Sequence, residues 1–438
     1  MANIFNVTNL KKTYYYLKRN GIMQTIGAAL ERVQVPYFAD YQYTAPAEKE
    51  LELQKNRKWE HPVTLSVVVP AYETKEAFLR VLIDSMLKQT YPYWELIIAD
   101  ASSTGKVREY CRKYEDSRIK YVLLKNNAGI SENTNEGIKH ATGEYIGLLD
   151  HDDYLTPDAL YEMASAIQKG KEENCEYGFL YSDEDKCDES GSNFYDPHFK
   201  MDFNLDLFLT NNYICHFCVM KRELMQKLKF RREYDGAQDF DIFLRAVGEL
   251  WKGNPKVEET ICHVPKVLYH WRCHNDSTAA NPQSKRYAYD AGKRAVQDFV
   301  NARGWDAVVE EMAHVGFYKV VYKGGVLAQR ADVAACGGKR IKAGRVCSGA
   351  FDKEGTLLYK GIPFCYSGYM HRAVLAQNTA QLDIDTWKIN PKYKEIMETF
   401  WESQASKISG AKSERQKAVC EYLTSQGYRL YWDPAQKG

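Results

Sequence analysis

From Thr64 to Leu149 the chain alternates short β-branched runs with amphipathic stretches. Such alternation is satisfied by a parallel sheet whose strands are joined by covering helices, because parallel neighbours need a crossover of a dozen or more residues. Leu65-Ser66-Val67-Val68-Val69 predicts a buried strand, and residues 75–90, with Phe78, Leu82 and Met86 on one side, predict a helix. Glu95-Leu96-Ile97-Ile98-Ala99, residues 119–124 and residues 144–149 supply three further strands, with helical segments near 105–115 and 131–141. Ligands of open parallel sheets sit beyond the carboxyl ends of the strands. Those ends read Pro70-Ala71-Tyr72-Glu73, Asp100-Ala101-Ser102-Ser103, Asn126-Asn127-Ala128-Gly129 and Asp150-His151-Asp152-Asp153. Four polar ends on one edge predict a pocket.

Two nucleotide signatures are missing. No G-x-G-x-x-G follows the first strand, which argues against a dinucleotide-binding dehydrogenase, and Ser103-Thr104-Gly105-Lys106 lacks the first glycine and the final hydroxyl of a P-loop. With 59 basic against 58 acidic residues there is no global field for nucleic acid, and none is expected as a partner. Apolar runs stay far below the roughly 20 residues of a spanning helix. The opening Met1-Ala2-Asn3-Ile4-Phe5 does not read as a signal peptide, so the expected compartment is the cytoplasm. The 11 scattered cysteines then read as reduced thiols. Cys215 and Cys218 have a metal-like spacing, but Cys262 and Cys273 do not supply the second pair that a structural zinc site needs.

At 438 residues the chain has room for two or three domains. Leu10, Tyr14 and Leu17 form an apolar stripe ahead of Gly21, and Ile22, Ile26, Ala29 and Val33 form another before Pro36. These N-terminal amphipathic helices carry five basic residues against Glu31 alone within residues 1–35, so two readings stand: packing on their own domain, or peripheral contact with an anionic membrane. The polar residues 41–60 read as a linker. Residues 1–60, 61–305 and 306–438 are the expected divisions.

The motifs SVVVPAYE, IIADASS, NNAGISENTNEG, YIGLLDHDD, YSDEDK, GAQDFD and LYHWR occur in the order and spacing of the family 2 glycosyltransferases, which this chain resembles over residues 62–280. The resemblance implies an α/β fold of GT-A type, a nucleotide-diphosphate sugar donor and inversion at the anomeric carbon. It places Asp150 on the donor ribose side and Asp152 on Mg²⁺ or Mn²⁺. Both carboxylates lie two apart on an extended segment and so face one side, an arrangement that favours a hard cation. Asp100 and Glu73 match the positions that hold base and ribose. Pro70 and Tyr72 share their strand end, and Asn127 with Gly129 is similar to an N-x-G turn at the nucleotide.

Asp239 opens a helical pattern marked by Phe240, Phe243, Leu244 and Val247, where the helix dipole favours an ionised carboxylate suited to accept a proton. The family commonly has Glu-Asp here, whereas this chain has Gln238-Asp239. Asp241 and Arg245 have the spacing of a helix-surface ion pair. His270 and Arg272 alternate with Tyr269 and Trp271, so the first two point together. This matches a late H-x-R element, with His270 on the metal and Arg272 on phosphate oxygens. Asp183, Glu184 and Trp271 are the acceptor-side candidates.

The tail contains VAACGGKRIKAG and SQGYRLYWDP, fragments resembling a degenerate second transferase module, here a smaller α/β appendage for acceptor binding or self-association. The function expected is transfer from dTDP-rhamnose or a UDP-hexose to a glycan, free or lipid-linked, in bacterial surface-polysaccharide assembly at the inner face of the plasma membrane. The alternative is a noncatalytic glycan-binding or scaffold protein with a vestigial pocket.

Overall fold

The computed structural model describes residues 7–252, 254–274, 286–404 and 411–437. These divide into two compact units. One comprises Phe38–Phe203 with Asn212–Phe299, and the other the described residues of Met1–Tyr37, Asn204–Asn211 and Val300–Gly438. The boundaries differ from those expected. Residues 38–60 belong with the sheet of the first unit, and the N-terminal helix belongs with the tail.

The first unit is built on β1 (Leu65–Ala71), β2 (Trp94–Asp100), β3 (Ile119–Leu123), β4 (Tyr145–Leu148), β5 (Tyr154–Leu155), β6 (Phe179–Cys187), β7 (Phe194–His198), β8 (Cys218–Lys221) and β9 (Ile261–Arg272). Their order is β3-β2-β1-β4-β8-β6-β9-β5, with β7 on β6. The first four strands are mutually parallel, in register Ala71↔Asp100, Asp100↔Leu123 and Val68↔Leu148, which lines up their carboxyl ends. β8 runs antiparallel to β4 and β6, while β9 is parallel to β6. This mixed α/β sheet has the GT-A architecture expected. β1 and β2 are buried on both faces, as their uninterrupted apolar character requires. Leu79, Leu82, Ile83 and Met86 of helix Glu76–Leu87 cover one face of the sheet. Helix Ile130–Ile138 lies close on β1 and β2 because Gly137 is bare: a Cβ there would stand 2.8 Å from Val68 Cγ1.

Residues 41–60 are no linker. They include a helix, Glu48–Lys55, whose buried Gln54 accepts from the Thr90 hydroxyl at 2.7 Å. Trp59 packs edge-on to Tyr91 at 4.8 Å, and Tyr43 edge-on to His270 at 4.5 Å. The polar composition concealed these anchors, which are spaced without a helical or strand period. Ahead of helix Ala159–Glu172, Thr156 donates to Asp158 Oδ1 at 2.7 Å.

Asp241 is only 1% exposed, so its pairing with Arg245 at 2.6 Å is a buried one, shared with Arg231. A carboxylate taken out of water needs such partners, and as a result the segment 228–231 is tied to the helix Gln238–Leu250.

The second unit contains β10 (Ala307–Glu311), β11 (Tyr318–Tyr322), β12 (Val333–Lys342), β13 (Arg345–Ser348), β14 (Ala350–Phe351), β15 (Gln377–Asn378), β16 (Gln381–Leu382), β17 (Lys388–Ile389) and β18 (Arg429–Lys437). Its main sheet runs β13-β12-β18-β15 with β17 on β12. Asn204–Asn211 joins this unit through Asn204, whose amide donates to Asn378 O at 2.8 Å, and through Asp206, paired with the fully buried Arg330. Helix Val7–Gln34 breaks at Gly21 (φ 78°), where the sequence punctuates it. Glu31 caps this packing by accepting from the backbone N–H groups of Ser367 and Gly368, at 2.8 and 2.7 Å. Ile22, Ile26, Leu30 and Val33 nonetheless stand exposed. The Leu10 side chain lies outside those described. No helix among the described residues is long and apolar enough to cross a membrane.

Near the amino end of β2, Glu95 ties β1 to the segment that precedes β4. Its Oε1 accepts from Ser66 Oγ and Thr142 N–H, both at 2.6 Å, and its Oε2 pairs with Lys120. Although burial opposes ionisation, Lys120, Ser66 and Thr142 pull the carboxyl down to about 2 from 4.5. A depressed carboxyl stabilises the fold above its unfolded value and loses that contribution as pH falls toward the folded one. Stability should therefore decline between about pH 4.5 and 2, and Glu95→Gln should lower stability at pH 7 while flattening that acid limb; urea midpoints across pH measure both.

Candidate functional site

Asp100 ends β2 fully buried, with Oδ2 accepting from the Tyr121 hydroxyl at 2.7 Å and Oδ1 from Ser102 N–H at 2.9 Å. Glu73 follows β1 in a left-handed conformation (φ 47°) and accepts from Ser103 N–H at 2.9 Å and Thr104 Oγ1 at 2.7 Å. These bonds, that of Thr104 foremost, hold its carboxyl below the usual range. In this structure Glu73 thus ties together the loops after β1 and β2. Tyr72 beside it is 50% exposed.

Asn127 Oδ1 accepts from Gly129 N–H at 3.2 Å and from the Asn133 amide at 2.9 Å, forming a closed turn. Gly129 has φ 100°, and a Cβ there would stand 2.7 Å from Asp235 Oδ2. Asp235 in turn accepts from the Ser131 hydroxyl at 2.5 Å. Only glycine allows this turn to meet that carboxylate.

The acidic turn after β4 splits into three roles. Asp150 lines a cavity, and burial pushes its carboxyl up; His216 opposes that shift, and the charges of Asp152 and Asp239 add to it. Asp152 Oδ2 stands 2.8 Å from His274 Nε2. Asp153 is 1% exposed: Oδ1 accepts from Arg272 N–H at 2.7 Å and Oδ2 from the Tyr269 hydroxyl at 2.5 Å. Burial drives its carboxyl well above the ordinary value.

His270 does not meet Asp152. It is 2% exposed, with Nδ1 2.6 Å from Asp185 Oδ1 and Tyr43, Tyr154 and Phe194 around its ring. Asp185 also accepts from the Tyr41 hydroxyl at 2.8 Å, so the segment expected to be a linker completes this box. The imidazole beside Asp152 is instead His274, which sequence reasoning passed over because it lies just beyond the motif. Arg272 is buried as well. Its Nε donates to Asp152 O at 2.7 Å and Nη1 to Glu189 O at 2.8 Å, over the rings of Phe78 and Tyr154. Its Nη2 has no hydrogen-bond partner among the described residues.

Opposite Asp150, Asp239 occupies the first turn of helix Gln238–Leu250, and its Oδ2 accepts from the Asn212 amide at 2.8 Å. Gln238, which replaces the expected carboxylate, accepts from Gly236 N–H at 2.7 Å. His216 Nδ1 lies 2.9 Å from Glu184 Oε2, with its ring stacked on Tyr269 and edge-on to Trp271. Burial opposes charge on both partners, yet Lys200 and the histidines hold Glu184 well below the usual carboxylate range. Cys215 and Glu184 likewise hold His216 well above the usual histidine value against burial. Asp183 lies apart from this group: it accepts from Lys200 N–H at 2.8 Å and sits 2.9 Å from His263 Nε2. One cavity therefore gathers Pro70, Asp150, Cys215, His216, Gln238 and Asp239. Of the residues expected to carry catalysis, donor, metal or acceptor binding, Pro70, Asp150 and Asp239 line it.

Gly129→Ala should cost about 1–3 kcal/mol of stability from the forced left-handed backbone alone, with the clash at Asp235 added. Its denaturation midpoint should fall further than that of the glycine-to-alanine control Gly304→Ala, where φ is positive but no atom lies within 4 Å of the added Cβ.

The profile described as "Glycosyl transferase family 2" matches residues 66–229. The chain is 32% identical over 198 residues to the putative colanic acid biosynthesis glycosyl transferase WcaA of Escherichia coli K12, covering 43% of this chain and 68% of that one. It is 32% identical to the O-antigen biosynthesis protein RfbC of Myxococcus xanthus over 59% of this chain and 20% of the relative. An uncharacterized Sinorhizobium fredii protein, y4gI, is 38% identical over 55% of this chain and 26% of its own length. The chain thus spans about a quarter or less of these last two relatives. Staphylococcus aureus TarS 1–349 in complex with UDP-GlcNAc superposes with TM-score 0.41 at 18% identity, over 54% of this chain and 66% of that one.

Proposed function

The chain belongs to glycosyl transferase family 2, and from that premise we propose that it transfers a sugar from a nucleotide-diphosphate donor to a growing bacterial surface polysaccharide, with inversion. The observation that carries this reading is the single cavity in which Asp150, at the carboxyl edge of the sheet, faces the helix-borne Asp239. The relatives named for O-antigen and colanic acid biosynthesis support the polysaccharide. The donor class spans dTDP-rhamnose and the UDP-hexoses, whose pockets differ by only about 1–3 kcal/mol of contact energy.

Asp239 is the base. Asn212 holds one of its oxygens, leaving the other to accept the proton of an acceptor hydroxyl as that oxygen attacks the anomeric carbon. Its first-turn position sets it at the positive end of the helix dipole, which suits a group bearing negative charge. Glu184 orients His216 beside it, and Trp271 offers a flat face for an acceptor sugar. On the donor side Asp100 and the Asn127–Gly129 turn are held rigid by their own hydrogen bonds, so a nucleotide meets a prearranged surface.

The residues also fit a divalent cation. Asp150 and Asp152 crowd negative charge in a partly buried turn, and His274 adds a nitrogen beside Asp152, a carboxylate and imidazole set suited to Mg²⁺ or, better, Mn²⁺. Such an ion would supply charge neutralisation for the departing diphosphate. The second unit serves as an accessory for acceptor binding or self-association. The exposed Ile22, Ile26, Leu30 and Val33 support peripheral contact with the membrane that carries a lipid-linked acceptor.

Asp239→Asn preserves size and most hydrogen bonding but cannot take the proton. Transfer should fall about 10²- to 10⁴-fold with donor affinity by calorimetry unchanged. Loss of donor binding with near-normal turnover would assign Asp239 to the donor instead.

The two histidines separate cleanly. His274→Ala should weaken Mn²⁺ binding, read by electron paramagnetic resonance, with the thermal midpoint retained. His270→Ala empties a buried aromatic box, leaves Asp185 short of a partner and should lower the midpoint by several degrees. The reverse pattern would return the metal to His270.

A further inference from the structure

One group in the cavity is left over by the transfer reaction. The Cys215 thiol, a ring nitrogen of His216 and a carboxylate oxygen of Asp239 lie within 4.8 Å of one another. We propose that these three side chains form a site for a zinc-class cation inside the transfer cavity.

The donor set decides the class. A thiolate with an imidazole and a carboxylate suits Zn²⁺, Co²⁺ or Cu⁺, whereas Mg²⁺ and Mn²⁺ prefer oxygen. Three protein ligands with the fourth position open to a cavity is the pattern of an accessible zinc centre rather than a closed structural one. The surroundings are arranged accordingly. Glu184 engages His216 Nδ1 at 2.9 Å, which leaves Nε2 for a metal and is the carboxylate–histidine arrangement that fixes ring orientation at metal centres. Tyr269 stacks on the same ring at 4.8 Å. Asp239 is steadied by Asn212, and both Cys215 and His216 lie just before β8, which is hydrogen-bonded on each side to β4 and β6. Cys218, the partner suggested by spacing, is not in the group; its thiol donates to Ile214 O instead.

A cation held here occupies the carboxylate that receives the acceptor proton, so occupancy and transfer exclude one another. That consequence rests on Asp239 being the base, whereas the site itself does not. Zinc entry thus switches the enzyme off without touching the donor side.

The test titrates the metal-free full chain with Co²⁺ and reads the near-ultraviolet sulfur-to-cobalt charge-transfer band, with Zn²⁺ as displacing ion. The expected result is one sulfur-bound equivalent, counted from the band, with the band lost in Cys215→Ser and kept in Cys218→Ser, and its affinity lowered about 10- to 100-fold in Glu184→Gln. In the unaltered chain, Zn²⁺ should also shield Cys215 from iodoacetamide in peptide mass spectra, a readout independent of any variant's folding. Absence of the band, its persistence in Cys215→Ser, or unshielded alkylation of Cys215 would overturn the site. Zinc binding with undiminished Mn²⁺-supported transfer would overturn the exclusion and, with it, the base assignment, while leaving the site in place.

Discussion

The buried carboxyl of Asp153 is the contact on which the rest of the site depends. It accepts from the Arg272 backbone and the Tyr269 hydroxyl, and so welds the turn after β4 to the end of β9. Leaving such a group unpaired would cost about 1–3 kcal/mol or more, which fixes the turn's position strongly. Arg272 adds a second clasp through the carbonyl of Asp152. With both ends of Asp152 held, Asp150 is presented to the cavity and the Asp152 carboxylate to His274.

The weld reaches further because β9 is paired with β6. The register sets Glu184 against Tyr269 and Asp185 against His270. Glu184 then orients His216, which stands beside Asp239, while Asp185 holds His270 and Tyr41. Each element carries one group toward the cavity and one toward the core, as alternation along a strand requires. His216 beside the proposed base is therefore oriented from a strand, through Glu184 of β6, whereas Asp239 itself sits at a helix terminus.

The parallel half of the fold was legible because buried β-branched runs and amphipathic helices have distinct periods. β1 to β4 appear within two residues of their expected bounds. Residues 41–60 were misread because Tyr41, Tyr43 and Trp59 are isolated aromatics in polar sequence, and isolated anchors have no period. Asp241 reads as a surface charge for a related reason: a carboxylate looks the same in sequence whether its partners are water or a buried N–H. His270 illustrates the limit of alternation. The pattern rightly puts it on the face with Arg272, but which carboxylate it meets depends on the β6–β9 register, which sequence spacing leaves open. Its aromatic box could be suspected only after Tyr43 is known to return.

Charge balance explains how two kinds of cation site can be proposed on either side of Asp150. Asp150, Asp152 and Asp239 repel one another in a partly desolvated space, and His216 and His274 provide the nearest compensation. Imidazolium can fill that role, and so can a metal. Divalent affinity for nitrogen and sulfur ligands rises from Mn²⁺ toward Zn²⁺, so raw affinity would favour zinc at any site with those donors. Ligand type then separates them: the Asp150–Asp152 edge is rich in oxygen and keeps to hard ions, while Cys215 is the one sulfur in the candidate ligand group. Since Asp239 belongs to that softer group, the carboxylate proposed as the base is also the one most open to capture. Sensitivity to zinc follows from the same negative charge that proton transfer needs.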